Sequence, residues 1–256
     1  MFGWFRRRER APREPLDRHG REWVERHLRW LGDEFGTGRL IDEPVVEPTP
    51  AFFPDPYDGS QAAVEAMLDR VRGCMDVSPV YEVRVRLYDE SNAPPLADAA
   101  GHALGGTAGT YQKRGGVTVL RIERRQLDRP MELVGTLAHE LAHLRLMGEH
   151  RIDPDRFDNE LLTDLTAVYF GFGIFLANAP RHWHSDLTYW PGTDARRPEY
   201  MTLPMYGYAL ALIAAARFDE RPPWVRHLNR DARSEMAASA RYLDHRAARR
   251  TAGPDA

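Results

Sequence analysis

The stretch Thr136-Leu137-Ala138-His139-Glu140-Leu141-Ala142-His143-Leu144 decides how the rest of the chain is read. It lies in a run of helical composition bounded by Pro130 before it and Gly148 after it. Proline suits the first turn of a helix, where its missing N–H costs nothing, and glycine commonly ends one. Residues four apart on a helix stack on one face. His139 and His143 can therefore aim two imidazoles at one point, with Glu140 beside them. Two imidazoles and a neighbouring carboxylate on one helix are the core of a hydrolytic zinc site. Ala138, Leu141 and Ala142 are small or apolar, so the helix can be buried with this site facing a cleft.

A catalytic zinc takes three protein ligands and keeps one position open. The third ligand must come from outside this helix. Glu160 and Asp164 are four apart in the next helical run and share a face of it. One of these carboxylates can bind the metal. The other can accept the second ring N–H of a ligating histidine and so fix its tautomer. Spacing alone leaves open which carboxylate takes which role.

His-Glu-x-x-His on one helix, then Glu-x-x-x-Asp on the next, resembles the thermolysin-type gluzincin metallopeptidases. The resemblance covers roughly residues 105–180. It implies a zincin-like core in which His139, His143 and Glu160 bind zinc. Glu140 would act as general base on the attacking water, and Asp164 would orient His139 from behind. It also implies that the strand Val117 to Ile122 is an edge strand that pairs with an extended peptide. The spacing between His143 and Glu160 is shorter than in thermolysin. No transition-state donor is assigned by the resemblance, and Tyr189, Tyr200, Tyr206, His182 and His184 are the candidates. The expected activity is zinc-dependent hydrolysis of a peptide or protein. The alternative is a zincin-fold regulatory or binding protein without turnover.

The remaining sequence predicts a mostly helical α+β protein. Residues 1–20 are rich in Arg, Glu and Pro and read as a tail. Arg21 to Phe35 carries Trp23, His27, Trp30 and Leu31 at helical spacing. A proline-rich connector from Asp42 to Asp58 offers Phe52, Phe53 and Tyr57 as anchors. Gln61 to Cys74 is an amphipathic helix with Ser60 as N-cap. Val80 to Tyr88 alternates as a half-buried strand. A glycine-broken strand over Gly105 to Tyr111, a turn at Gly115-Gly116 and a strand over Val117 to Ile122 follow. These strands predict a small antiparallel sheet packed on the His-Glu-x-x-His helix. Asp158 or Asn159 caps the second site helix, which is apolar nearly all round and runs to about Leu176. Met205 to Phe218 and Ala232 to Leu243 are further helices. The expected organisation is one domain over 21–245, with its core at about 80–180, a helical part at about 198–245 and a tail at 246–256.

A chain of 256 residues with 43% hydrophobic content can bury one large core. A formal net charge of −3 gives no drive towards nucleic acid or an anionic membrane. The sole cysteine, Cys74, can form no internal disulfide and excludes a cysteine-built metal site. Arg6, Arg7 and Arg8 are followed by no long apolar core of an export signal. The longest apolar stretch, Leu165 to Ala179, falls short of the roughly 18–20 residues of a membrane span. These features predict a cytoplasmic protein with no membrane association.

Overall fold

Helix α4, Pro130–His143, packs against the sheet and the helices on either side of it in sequence. The computed structural model describes residues 11–89, 109–114, 117–179 and 188–251. Pro130 occupies the first turn of α4, as its missing amide allows. From Leu133 to His143 all but Thr136 are buried. The helix then widens into a π-turn, Leu144–Gly148, where the Glu149 amide reaches back to the Leu144 carbonyl at 3.0 Å.

Helix α5, Asn159–Ala167, runs beside α4 and continues through a second π-turn, Val168–Phe172, into α6, Gly173–Asn178. The expected single helix is thus interrupted. Gly171 adopts φ 94°, a left-handed conformation that breaks helical geometry. The Gly171 carbonyl accepts the Val46 amide at 3.1 Å, which docks the proline-rich connector onto the helix. A methyl group on Gly171 would lie 3.2 Å from the Pro44 carbonyl and the Val46 amide. The Asn159–Asn178 run is long and apolar enough to cross a membrane by length and composition, but 89% of its most apolar window is buried inside the protein. Tertiary packing accounts for its hydrophobicity.

The flanking helices complete the core. Helix α1, Arg18–Phe35, begins earlier than the sequence predicts because the Asp17 carboxylate caps the Gly20 amide at 2.7 Å. It buries Trp23, Val24, Leu28 and Leu31. A short helix α2, Thr37–Asp42, was not expected. Helix α3, Gln61–Cys74, matches its expected bounds, and Ser60 Oγ accepts the Ala63 amide. Phe52, Phe53 and Tyr57 of the connector pack against the core, and the Tyr57 hydroxyl donates to the Leu127 carbonyl at 2.9 Å. Helix α7, Leu203–Ala216, packs along α8, Arg230–Thr251. Helix α8 is longer than expected and takes in most of the assigned tail, since Ala and Arg at 246–250 are good helix formers. The Tyr208 hydroxyl and the Arg246 guanidinium both bond Glu25, tying α7 and α8 to α1.

The sheet corrects two expectations. Its order is β1-β3-β2, with β1 at Glu82–Tyr88, β2 at Gly109–Arg114 and β3 at Val117–Glu123. Strand β2 pairs antiparallel with β3, but β1 pairs parallel to it, in register from Glu82 opposite Val117 to Tyr88 opposite Glu123. The sheet is therefore mixed. A tight connection forces antiparallel pairing between β2 and β3, whereas the long connection after β1 permits a parallel return. Strand β3 is central, so the edge role expected for Val117 to Ile122 does not hold. The expected strand residues 105–108 and the Gly115-Gly116 turn lie outside the described residues. The protein is a mostly helical α+β fold with a small sheet.

Two glycines set helix spacing. A Cβ on Gly173 would sit 2.7 Å from Leu210 Cδ2, and one on Gly207 would sit 2.7 Å from the Glu235 carbonyl carbon. Backbone cannot yield as a side-chain tip can. Gly207→Ala is expected to push α7 from α8 and cost about 1–3 kcal/mol, read as a lowered midpoint in urea unfolding.

Candidate metal centre

Helix α4 presents His139 and His143 one turn apart, with ring centroids 4.8 Å apart and ring planes at 88°. The first turn of α5 brings Glu160 opposite them. Glu160 Oε2 lies 3.1 Å from His139 Nε2 and 3.4 Å from His143 Nε2. The three donor atoms lie within 4.8 Å of one another, and this cluster can hold a metal ion. Both imidazoles are buried, while Glu160 is half-buried at the mouth.

The atoms behind the donors fit this assignment. His139 Nδ1 is 2.9 Å from Asp164 Oδ1, and His143 Nδ1 is 3.2 Å from Thr163 Oγ1. With each Nδ1 engaged, each Nε2 points at the common centre. Asp164 has no exposed surface, and its second oxygen accepts the Met201 amide at 3.0 Å. A buried carboxylate needs such partners. The structure thus separates the two acids left open by spacing: Glu160 reaches both imidazoles, and Asp164 supports one from behind.

Protonation follows from these contacts. Burial disfavours the charged form of His139, but its hydrogen bonds to Asp164 and Glu160 outweigh burial and raise its pKa to about 9. Burial acts to raise the Glu160 pKa, yet the two imidazoles hold it well below the ordinary carboxylate range. Without metal, His139 therefore carries a proton at neutral pH that an incoming cation must displace.

Glu140 follows His139 on α4 and is 3% exposed. It lies within electrostatic reach of Tyr88 at the end of β1; burial raises the Tyr88 pKa, and the Glu123 and Glu140 carboxylates add to the rise. Tyr200 stands next to the centre, its ring centroid 6.1 Å from that of His139. Its place is fixed by the adjoining Met201 amide on Asp164. Of the other candidate donors, Tyr189 is half exposed on β4, Thr188–Tyr189, and Tyr206 is buried in α7. His182 and His184 lie outside the described residues.

The segment before α5 departs from expectation. Asp158 makes no cap through its side chain. Its buried carboxylate instead accepts Trp23 Nε1 at 2.7 Å and two bonds from Arg156, at 2.5 and 3.0 Å. A buried charge gains more from a guanidinium than from one helix-end amide. Thr163 has no role in the sequence reading, and Tyr200 is one of five candidate donors that the sequence does not separate. Thr163 was detectable, since it follows Glu160 by three and so shares its face.

Two outcomes test this geometry. Asp164→Asn and Thr163→Val should each weaken metal binding by about 10- to 100-fold, measured by competition with a chelating dye. Metal affinity should also weaken by about tenfold per pH unit as pH falls below about 9, because one proton is displaced from His139. The sign follows from the raised pKa: below it the competing proton is bound, and above it the site is free. A flat profile would show that binding displaces no proton from His139.

No family model, curated protein or solved structure matches this chain.

Proposed function

We propose that this protein is a zinc-dependent metallopeptidase with a zincin-like, gluzincin-type site. The observation that carries the reading is the convergence of His139, His143 and Glu160 with both Nδ1 atoms engaged. Two imidazoles and one carboxylate suit zinc, which accepts nitrogen and oxygen donors in a four-coordinate shell with one open place. Zinc held there would supply a Lewis acid for a scissile carbonyl and render an attacking water acidic.

The residues of the chain divide the remaining work. Asp164 and Thr163 hold the imidazoles in register. Glu140, adjacent to the ligands but not among them, takes the proton of the attacking water and delivers it to the leaving amine. Tyr200 is the hydroxyl donor best placed for the oxyanion among the described candidates. Strand β2, an edge of the sheet, offers main-chain pairing to an extended peptide.

The near-complete burial of His139, Glu140 and His143 supports a second reading, a metal-bearing binding protein that does not turn over. The two are separated by one experiment. Purified protein should hold about one zinc per chain by elemental analysis. Glu140→Gln should retain that zinc and lower hydrolysis of a quenched peptide library by about 10²–10⁴-fold. Tyr200→Phe should lower kcat by about 10²–10³-fold with little change in KM. Absence of stoichiometric metal sinks both readings. Full metal with no turnover selects the second.

A further inference from the structure

A cleft of about 340 Å³ opens beside the candidate ligand Glu160 and is lined also by Arg156, Phe157, Asn159 and Arg197. Its two arginines differ in their commitments. Arg156 is spent within the fold: it forks onto the Asp158 carboxylate and touches His27 Nε2. Arg197 is only 9% exposed, yet among the described residues it forms no ion pair. One terminal nitrogen donates to the Pro198 carbonyl at 3.1 Å, and the guanidinium lies 5.5 Å over the Phe157 ring. Its Nε has no hydrogen-bond partner.

The Asp158 and Glu199 carboxylates lie within electrostatic reach of this buried guanidinium but neither is hydrogen-bonded to it, and its planar fork matches a carboxylate in two bonds. Its position is fixed from behind. It belongs to strand β5, Arg196–Arg197, paired with β4, and the Thr188 hydroxyl donates to its carbonyl at 2.7 Å. The amino end of α5 lines the same cleft, which adds a positive helix terminus. Three acids also border the cleft. Glu160 faces the imidazoles, Asp155 is exposed, and Glu199 acts on Arg197 electrostatically without a hydrogen bond to it.

We propose that Arg197 is a specificity residue that seats a substrate carboxylate in this cleft, so that the preferred peptides are anionic next to the bond cleaved. This rests on the metallopeptidase reading. The carboxylate can belong to an Asp or Glu side chain or to the peptide's own C-terminus; both present the same group to the same guanidinium.

The test uses zinc-loaded protein and matched quenched peptides that differ only in Glu against Gln, or in a free against an amidated C-terminus. The wild type should favour the carboxylate form by about 10- to 100-fold in kcat/KM. Arg197→Gln should collapse that ratio, and Arg197→Lys should restore part of it. The pair that carries the preference identifies the source. Binding of the same peptides to Glu140→Gln, read by fluorescence anisotropy, should show the same ratio without turnover. Turnover with equal rates on every matched pair overturns the role of Arg197 and leaves the peptidase reading standing. Absence of turnover sinks the peptidase reading, and the anisotropy ratio alone then decides the carboxylate site: a preference lost in the Arg197→Gln, Glu140→Gln double variant upholds it, and equal binding overturns it. If the Gln variant does not fold, the wild-type ratio decides alone.

Discussion

A carboxylate with no exposed surface, Asp164, holds the functional region together. Its charge is tolerable only because one oxygen meets His139 Nδ1 and the other meets the Met201 amide. Those two bonds join three parts of the chain: α4, α5 and the segment that leads into α7. The same bonds set the direction of the His139 ring and the position of neighbouring Tyr200. Removing the charge would loosen a ligand, a helix pair and a candidate donor together. The cleft depends on a similar arrangement six residues earlier. Asp158, anchored by Trp23 of α1, holds the loop from which Arg156 and Phe157 project. Two buried acids, six residues apart, thus fix both the metal cluster and the wall beside it.

Much of the centre was legible because it is local. The four-residue spacings of His139 and His143, and of Glu160 and Asp164, are properties of a helix and need no tertiary knowledge. Ser60 and Pro130 likewise announced helix starts through backbone chemistry alone. What stayed hidden depends on pairing between distant segments. The parallel alignment of β1 with β3 has no signature in either strand, since alternation reports burial and not direction. The roles of Asp158 and Arg197 depend on Trp23 and Phe157, which only the folded chain brings near. The interruption at Gly171 rests on a left-handed backbone that the connector docks onto, which an apolar helical run does not reveal.

Burial sets the limits of the chemistry. The imidazoles and Glu140 sit behind the surface, and Glu160 is the side of the cluster that meets the cleft. A substrate would therefore approach from the α5 side, past Arg197, and not along the axis of α4. On the proposed reading, the cleft wall would act on a ligand before the buried groups do. In such an enclosed site each polar contact is stronger than at the surface, and each unmatched one is more costly.

The hydrogen bond between the Val46 amide and the Gly171 carbonyl has a consequence for how this sequence can drift. The connector is attached through main-chain atoms at that point, and the Val46 side chain, 2% exposed, packs into the core beside the bond. Position 171 is confined to glycine, because any Cβ would press on the Pro44 carbonyl and strain a left-handed backbone. Among divergent descendants of this chain, that glycine should be kept together with the connector's buried apolar anchors, while the exposed connector positions vary.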